Sequence, residues 1–373
     1  MSRATLYEIV ARHRAEEFDP ARLTDFTLSP GRDVAAEIVV RDPAWSLYGI
    51  NLDDDQAIFV RLSPDTDLPN AAFVHMMQFA TAQQVLTLPL SALPALSLDL
   101  PRPEKIIFVF SIGRCGTTLA SHMLAEVPTV YSLSEPDPFM TLALARFTLP
   151  EGEQLAMIAA TTRFCYRPPA GRPATTLAIK FQSQALYQAK LFHQAFPEAK
   201  YLFLYRDATS WANSFSHFIQ MVGFPAPMSA ESLAFGWMMH SASAPLEILG
   251  QSIDLTATSF SHAGFLTAAW IYYIQHYQQL LANGLPFFAL RYNELNRDRE
   301  ASTARLLAHC GLPAVDLAAA LTAFDRDSQE GTSISRDHRM VDLTPAERAL
   351  VAEIIASRPD SLAPDMILPD AGA

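Results

Sequence analysis

Residues 105–124 read KIIFVFSIGRCGTTLASHML: a short apolar run, a polar turn carrying two glycines, and a helix-compatible segment. A strand ending at Phe110, a tight turn and a helix starting near Thr117 bring free backbone N–H groups and the positive helix end to one point, which makes a local anion site. Gly113 and Gly116 let the backbone curl around a ligand oxygen, because glycine enters the left-handed region at little steric cost. The plainer reading is a βα turn in which glycine serves geometry alone.

The rest of the chain extends the βα pattern. IIFVF (106–110), TVYSLS (129–134), TLAIKF (176–181), YLFLYR (201–206) and FFALRY (287–292) are strand-length apolar runs separated by helical segments, which argues for a parallel sheet with crossover helices. Residues 207–283 form a long, mostly helical insertion between the last two strands. Downstream, REASTARLLAHCGL is a helix with a glycine stop, and TPAERALVAEIIAS has a threonine cap and a capping-box glutamate. The polar DRDSQEGTSISRDHR between them is too long for an idle connection and is either a disordered surface loop or a functional one.

Residues 1–100 read as an α+β extension ahead of an α/β domain at 101–373. The expected elements are a polar first helix, short alternating segments such as AAEIVV and QAIFVRL, and a helical NAAFVHMMQFATAQQVL. The proline-rich LPLSALPALSLDLPRPEK then reads as a linker or surface crossover.

Composition narrows the function classes. The formal net charge of −12 repels polyanions at long range, and no Lys/Arg run offers a nucleic-acid footprint, so any anion is held locally. Cysteines 115, 165 and 310 fit neither a disulfide framework nor a zinc pattern, and a reducing compartment is the simpler reading. No apolar leader core and no long apolar run is present, so the expectation is a cytoplasmic chain without a transmembrane segment and without a metal site.

A Walker A loop places Gly-Lys-Ser/Thr at the helix start. Here Gly116 precedes Thr117 and the cation stands two residues before the glycine, at Arg114, which suits a compact terminal anion gripped without a magnesium bridge. The arrangement resembles the sulfotransferase family that uses 3'-phosphoadenosine 5'-phosphosulfate, whose first signature is Lys/Arg-Ser-Gly-Thr-Thr. RCGTT matches at Arg114, Gly116, Thr117 and Thr118, with Cys115 in place of serine. In the same family an arginine at a later strand end and a serine eight residues on grip the 3'-phosphate. Arg206 and Ser214 in YLFLYRDATSWANSF reproduce that spacing, and a serine two turns into the following helix returns to the anion the arginine faces. LRYNELNRDREASTARLLAHCGLP resembles the family's Arg-Tyr-Glu-Asp-Leu segment and puts Tyr292 either beside the adenine or in the core. The resemblance covers roughly residues 105 to 335. It implies a three-layer, P-loop-like parallel sheet flanked by helices, with residues 1–100 outside it.

The chain departs from the family pattern again after a later strand. The cytosolic branch has lysine and then a histidine general base after the strand aligned with LAIKFQSQ. Lys180 is present, but Gln182 takes the histidine position, and an amide accepts no proton at neutral pH. Glu135, in YSLSEPDPF after the second strand, resembles the glutamate that other branches, the tyrosylprotein enzymes among them, use there. Its alternative is a solvent-facing or capping role. His122 reads as packing and His217 as a neighbour of the cofactor side. Cys115, at a helix start that lowers thiol pKa, reads as passive because it replaces a serine.

The resemblance thus implies transfer of a sulfuryl group from 3'-phosphoadenosine 5'-phosphosulfate to a hydroxyl or amine of a small-molecule or glycan acceptor. Arg114, the loop amides and Thr117 or Thr118 would hold the donor, Lys180 would neutralise developing charge, and Glu135 would take the proton. The Met-rich FGWMMHSAS of the insertion is either core or an adaptable lid over an apolar acceptor. A P-loop kinase or nucleotide hydrolase, and a silent nucleotide-binding scaffold, are the competing readings.

Overall fold

A computed structural model describes residues 3–14, 18–169, 171–333, 341–358 and 362–370. Eleven strands form two sheets among these residues. They are β1 (Arg3–Arg12), β2 (Phe26–Leu28), β3 (Arg32–Ala35), β4 (Trp45–Asn51), β5 (Gln56–Leu62), β6 (Ala82–Pro89), β7 (Lys105–Ser111), β8 (Val130–Ser134), β9 (Thr176–Lys180), β10 (Lys200–Tyr205) and β11 (Phe287–Arg291).

The first sheet is antiparallel, in the order β2-β1-β6-β5-β4 with β3 also on β1. The second has the order β11-β10-β7-β9-β8. Its β8–β9 and β10–β11 pairs are parallel. β7 runs the same way: Lys105 donates to Thr175 just before β9, and Ile112 donates to Leu204 near the end of β10. The chain is therefore an α/β protein with a parallel sheet flanked by helices and an additional antiparallel sheet.

The five strand-length runs of the α/β part all become strands, because apolar side chains on both faces suit a sheet covered by helices on both sides. Ile107, Phe108, Val109 and Phe110 are completely buried. Each stabilises the fold by about 1.5–3 kcal/mol at ordinary transfer energies. The insertion forms the helices Ala208–Met221, Ala230–Ser241 and His262–Ala282. Its tryptophans 237 and 270 are core, while Phe235 and Met238 stay exposed. The helix Arg299–His309 stops before Gly311, whose φ is 62°. Pro345–Ala356 has the expected capping box between Thr344 and Glu347. Of the polar stretch, residues 334–339 lie outside the described residues.

The N-terminal part departs from expectation. The expected polar first helix is β1, a strand whose inner residues Ala4 and Leu6 alternate with more exposed neighbours and which has β6 on one side and β2 and β3 on the other. In a segment with so few apolar side chains, ladder partners remote in sequence outweigh local propensity. AAEIVV is the end of β3 followed by the short helix Ile38–Arg41. The expected helix over residues 70–86 is cut at Thr81, and AQQVLTLP becomes β6, seated between β1 and β5. The expected linker is largely core. Leu88, Leu90, Leu93, Leu96 and Leu100 are buried, because two short helical turns put leucines three to four residues apart on one side.

Contacts divide the chain into two compact units. The first comprises 1–108, 120–182 and 191–199, and the second 109–119, 183–190 and 200–373. In the first, the antiparallel sheet is locked to segments of the α/β part. Phe59 meets Phe164 edge-on at 5.1 Å. The Arg167 guanidinium donates to the carbonyls of Val39 at 2.9 Å and Asp42 at 2.7 Å. In the second, Phe110, Tyr201 and Phe287 pack together, and Phe203 stacks on Tyr277 at 4.2 Å.

Candidate active site

The second unit holds the glycine turn. Ile112 N–H donates to Leu204 O at 3.3 Å, and Gly113 N–H to Ser111 Oγ at 3.1 Å. The Trp211 indole N–H is shared between the carbonyls of Ile112 and Gly113. The Cys115 thiol is buried and donates to Leu204 O at 3.2 Å, so its sulfur is committed to holding the turn. The first N–H groups of the helix Thr117–Ala125 have no carbonyl within the helix to bond. Gly113 and Gly116 have φ of 73° and 80°, and a Cβ on Gly116 would collide with the Tyr292 ring. Glycine is therefore required at 116 by backbone conformation and by contact together.

Arg114 also has a positive φ, 49°, and its guanidinium donates to Gln329 Oε1 at 3.2 Å. Gln329 comes from the polar stretch, so part of that segment reaches the loop. Tyr292 links the loop to Arg206: its ring lies against Gly116, and its centre is 4.9 Å from the Arg206 guanidinium. It is half-buried, so it is not the core tyrosine that one of its two readings made it.

Arg206 leaves the end of β10 with its carbonyl held by the Trp270 indole N–H at 3.0 Å. Its Nε is buried and makes no hydrogen bond among the described residues. Asp207 next to it makes no ion pair with it among the described residues; its two oxygens accept from Ser210 N–H and from the Asn293 amide. A cavity of about 350 Å³ opens at this arginine, lined also by Ser210, Ser214, His217, Asp342 and Arg348. Ser210, Ser214 and His217 follow helical spacing on one face of Ala208–Met221. Asp342 accepts from the Asn213 amide at 2.7 Å and pairs with His217 Nε2 at 2.9 Å. These bonds, that from Asn213 foremost, hold its carboxyl below the usual range.

The first unit holds the other candidates. Glu135 follows β8 in the left-handed region, φ 55°, with its N–H bonded to Lys180 O at 2.7 Å. The buried Lys180 ammonium is ion-paired to Glu135 Oε1 and lies 5.7 Å from the centre of the Phe73 ring. The Gln182 side-chain oxygen is buried without a hydrogen-bond partner among the described residues. Asp137, two residues after Glu135, is buried, and desolvation pushes its carboxyl up to about 6. His122 is buried within its helix, as a packing residue is.

The loop residues 114–118, Arg206, Ser214 and Tyr292 thus gather in the second unit, and Glu135 with Lys180 in the first. Sequence reasoning missed Gln329, Asn213, Asp342, Arg348, Phe73 and Asp137. Asn213 stands beside Ser214 on a helix already marked as ligand-facing, and Asp137 belongs to the acidic SEPDP run. Gln329 belongs to the polar stretch whose length already marked it, and Asp342, Arg348 and Phe73 carry no local signal. Among the described residues no cluster of three or more His, Cys, Asp or Glu could hold a metal ion, and no helix is long and apolar enough to cross a membrane.

Comparison with known proteins follows the same lines. No curated protein matches the sequence. Among solved structures, a sulfotransferase from Mycobacterium avium aligns at 15% identity over 71% of this chain and 79% of its own, with a TM-score of 0.37. The sulfotransferase domain from the curacin biosynthetic pathway aligns at 14% identity over 69% and 99%, with a TM-score of 0.37. A sulfotransferase from Alicyclobacillus acidocaldarius aligns at 15% over 69% and 94%, with a TM-score of 0.35. The model of the sulfotransferase family matches residues 106–316, more than half of the chain, from the strand that feeds the glycine turn to the helices after Tyr292. The chain belongs to the sulfotransferase family.

Proposed function

We propose that the protein transfers a sulfuryl group from 3'-phosphoadenosine 5'-phosphosulfate to a hydroxyl or amine of a small-molecule or glycan acceptor. The observation that carries this reading is Arg206: a strand-end guanidinium whose buried Nε has no hydrogen-bond partner among the described residues, beside a cavity shared with Ser214 and linked through Tyr292 to the glycine turn. Two separate anion grips match a ligand with phosphate at both ends of a nucleoside. A polar atom buried without a partner is unfavourable by about 1–3 kcal/mol, which a phosphate oxygen would offset.

When bound, the donor supplies an activated sulfuryl group whose departure leaves the 3',5'-bisphosphate. In this reading Arg114, the turn N–H groups and the hydroxyls of Thr117 and Thr118 bind the 5' end and its sulfuryl oxygens. Their dipoles are fixed before reaction, so stabilising transferred charge needs little reorganisation. Arg206 and Ser214 fix the 3' end and hence the register of the nucleoside. Cys115 keeps its thiol in the turn scaffold and takes no part as a nucleophile.

Glu135 is the base for the acceptor proton, and Lys180 is its charge partner. Glu135 follows β8 and Lys180 ends β9, and the family resemblance of their segments supports giving both a part in the reaction. When the Glu135 carboxylate takes a proton, the Lys180 ammonium loses its counter-charge and becomes available to the anionic leaving group. Proton uptake and charge neutralisation are then one coupled event.

Calorimetry with adenosine 3',5'-bisphosphate, AMP and ATP tests the donor assignment. The bisphosphate should bind at least tenfold more tightly than either. Arg206→Ala should weaken the bisphosphate by about 10²-fold, the scale of a lost charge-assisted hydrogen bond, and AMP little. ATP binding as tightly, or equal losses on bisphosphate and AMP, would overturn the 3'-phosphate assignment.

A further inference from the structure

We propose that Asp137 is a positioning residue, and that with Ala21 of the N-terminal module it sets the loop carrying Glu135. Residues outside the family segment 106–316 thereby act in aiming the base. The functional side of this inference rests on the role given to Glu135 above, and its geometric side does not.

The loop after β8 cannot hold its shape unaided. Glu135 sits at φ 55°, a region that is unfavourable by about 1–2 kcal/mol for a residue with a Cβ. Its surroundings must therefore impose the conformation. Ser134 Oγ donates to Ala72 O at 2.6 Å before the strained residue, and Asp137 Oδ2 accepts the Ala21 N–H at 3.0 Å after it. Glu135 is thus clamped on both sides by residues of the N-terminal module, which also puts Phe73 beside its partner Lys180.

Ala21 is a rigid anchor. It belongs to the core cluster with Phe26, Tyr48, Ile58 and Val85. A Cβ on Gly49 would meet its carbonyl oxygen at 2.6 Å, so β4 presses against its backbone. Beneath it, Arg14 pairs with Asp25 at 3.2 Å, both side chains buried, and Tyr48 O–H donates to the same carboxylate.

Asp137 has the wrong chemistry for a stabilising core residue. It is 4% exposed, and Asp25 and Glu135 oppose its charge while Arg14 favours it. It occupies the first cap position of the helix Pro138–Leu144, yet its side chain makes no bond to that helix and turns to Ala21 instead. What the site uses is an acceptor oxygen at a fixed place.

Asp137→Ala removes the acceptor, and Asp137→Asn keeps an oxygen there without the charge. Asp137→Leu replaces alanine should the cavity unfold the first unit. Three readouts are taken on the full chain. They are amide hydrogen exchange at Glu135, single-turnover transfer from labelled phosphoadenosine phosphosulfate to a panel of phenols, alcohols and amines, and calorimetric affinity for adenosine 3',5'-bisphosphate. Removing the acceptor should raise Glu135 exchange at least tenfold and lower transfer by about 10–10²-fold, the scale of a misplaced catalytic group, with bisphosphate affinity within twofold. Asp137→Asn should stay near wild type on all three. Unchanged Glu135 exchange without the acceptor, or a loss in the asparagine variant equal to that in alanine, overturns the proposal. Wild-type protein that binds no bisphosphate would instead sink the donor assignment, and the exchange measurement would still decide the role of Asp137.

Discussion

Two residues given roles in the reaction, Arg114 and Glu135, hold left-handed backbone conformations without being glycine. Strain of this kind persists only where the surroundings over-determine it, and it concentrates where a side chain must be aimed. For Glu135 the expected consequence is kinetic: Glu135→Gln keeps the shape but cannot take a proton. It should lower single-turnover transfer by about 10²-fold or more, with bisphosphate affinity within a few-fold. Near-normal turnover in that variant would transfer the search for a base to His217. Arg114, Arg206 and Ser214 could be named from the sequence because the motifs that carry them are short and have fixed offsets. Gln329 and Asp342 were not, because each reaches its contacts, Arg114 and His217, from well over a hundred residues away. Lys180 was legible as a cation, but its pairing with Glu135 needed the register of β8 on β9.

Among elements, the strand, turn and helix around Gly116 form the unit on which the rest depends. Its strand is held by burial, its turn by Trp211 and Leu204, and its opening by the absence of a side chain at 116. Gly116→Ala should therefore act twice, imposing strain of about 1 kcal/mol or more at φ 80° and pushing the Tyr292 ring against Arg206. Calorimetry should show bisphosphate affinity down at least tenfold, while circular dichroism shows the fold retained. Unchanged affinity would mean that Tyr292 yields freely and the contact does not shape the site. The helix Pro345–Ala356 was readable to its cap because a capping box is a local reciprocal pair. β1 and β6 were not readable, since their ladder partners lie elsewhere in the chain.

Over the whole molecule, stability should carry the signature of the buried Asp137. Its carboxyl pKa is raised from 3.8 to about 6 in the folded chain, so the folded state binds this proton more tightly than the unfolded state. Between those values a rising pH removes the proton from the unfolded chain first, and this group's contribution to stability falls, reaching its full unfavourable value above about pH 6. The magnitude is on the order of 3 kcal/mol for two pKa units. Asp137→Asn should then melt close to wild type at pH 4 and measurably higher at pH 7. A melting difference independent of pH over that range would show that the carboxylate carries no such penalty. What the sequence determined by itself was the α/β architecture and the glycine turn between its strand and helix, because both rest on apolar periodicity or on short fixed spacings. The tertiary structure alone decided that the apparent linker is core and that Ala21 and Ala72 of the N-terminal part bond to the residues flanking Glu135. Both follow from burial and from hydrogen bonds between segments remote in sequence, such as Ala21 with Asp137, and no local pattern encodes such a meeting.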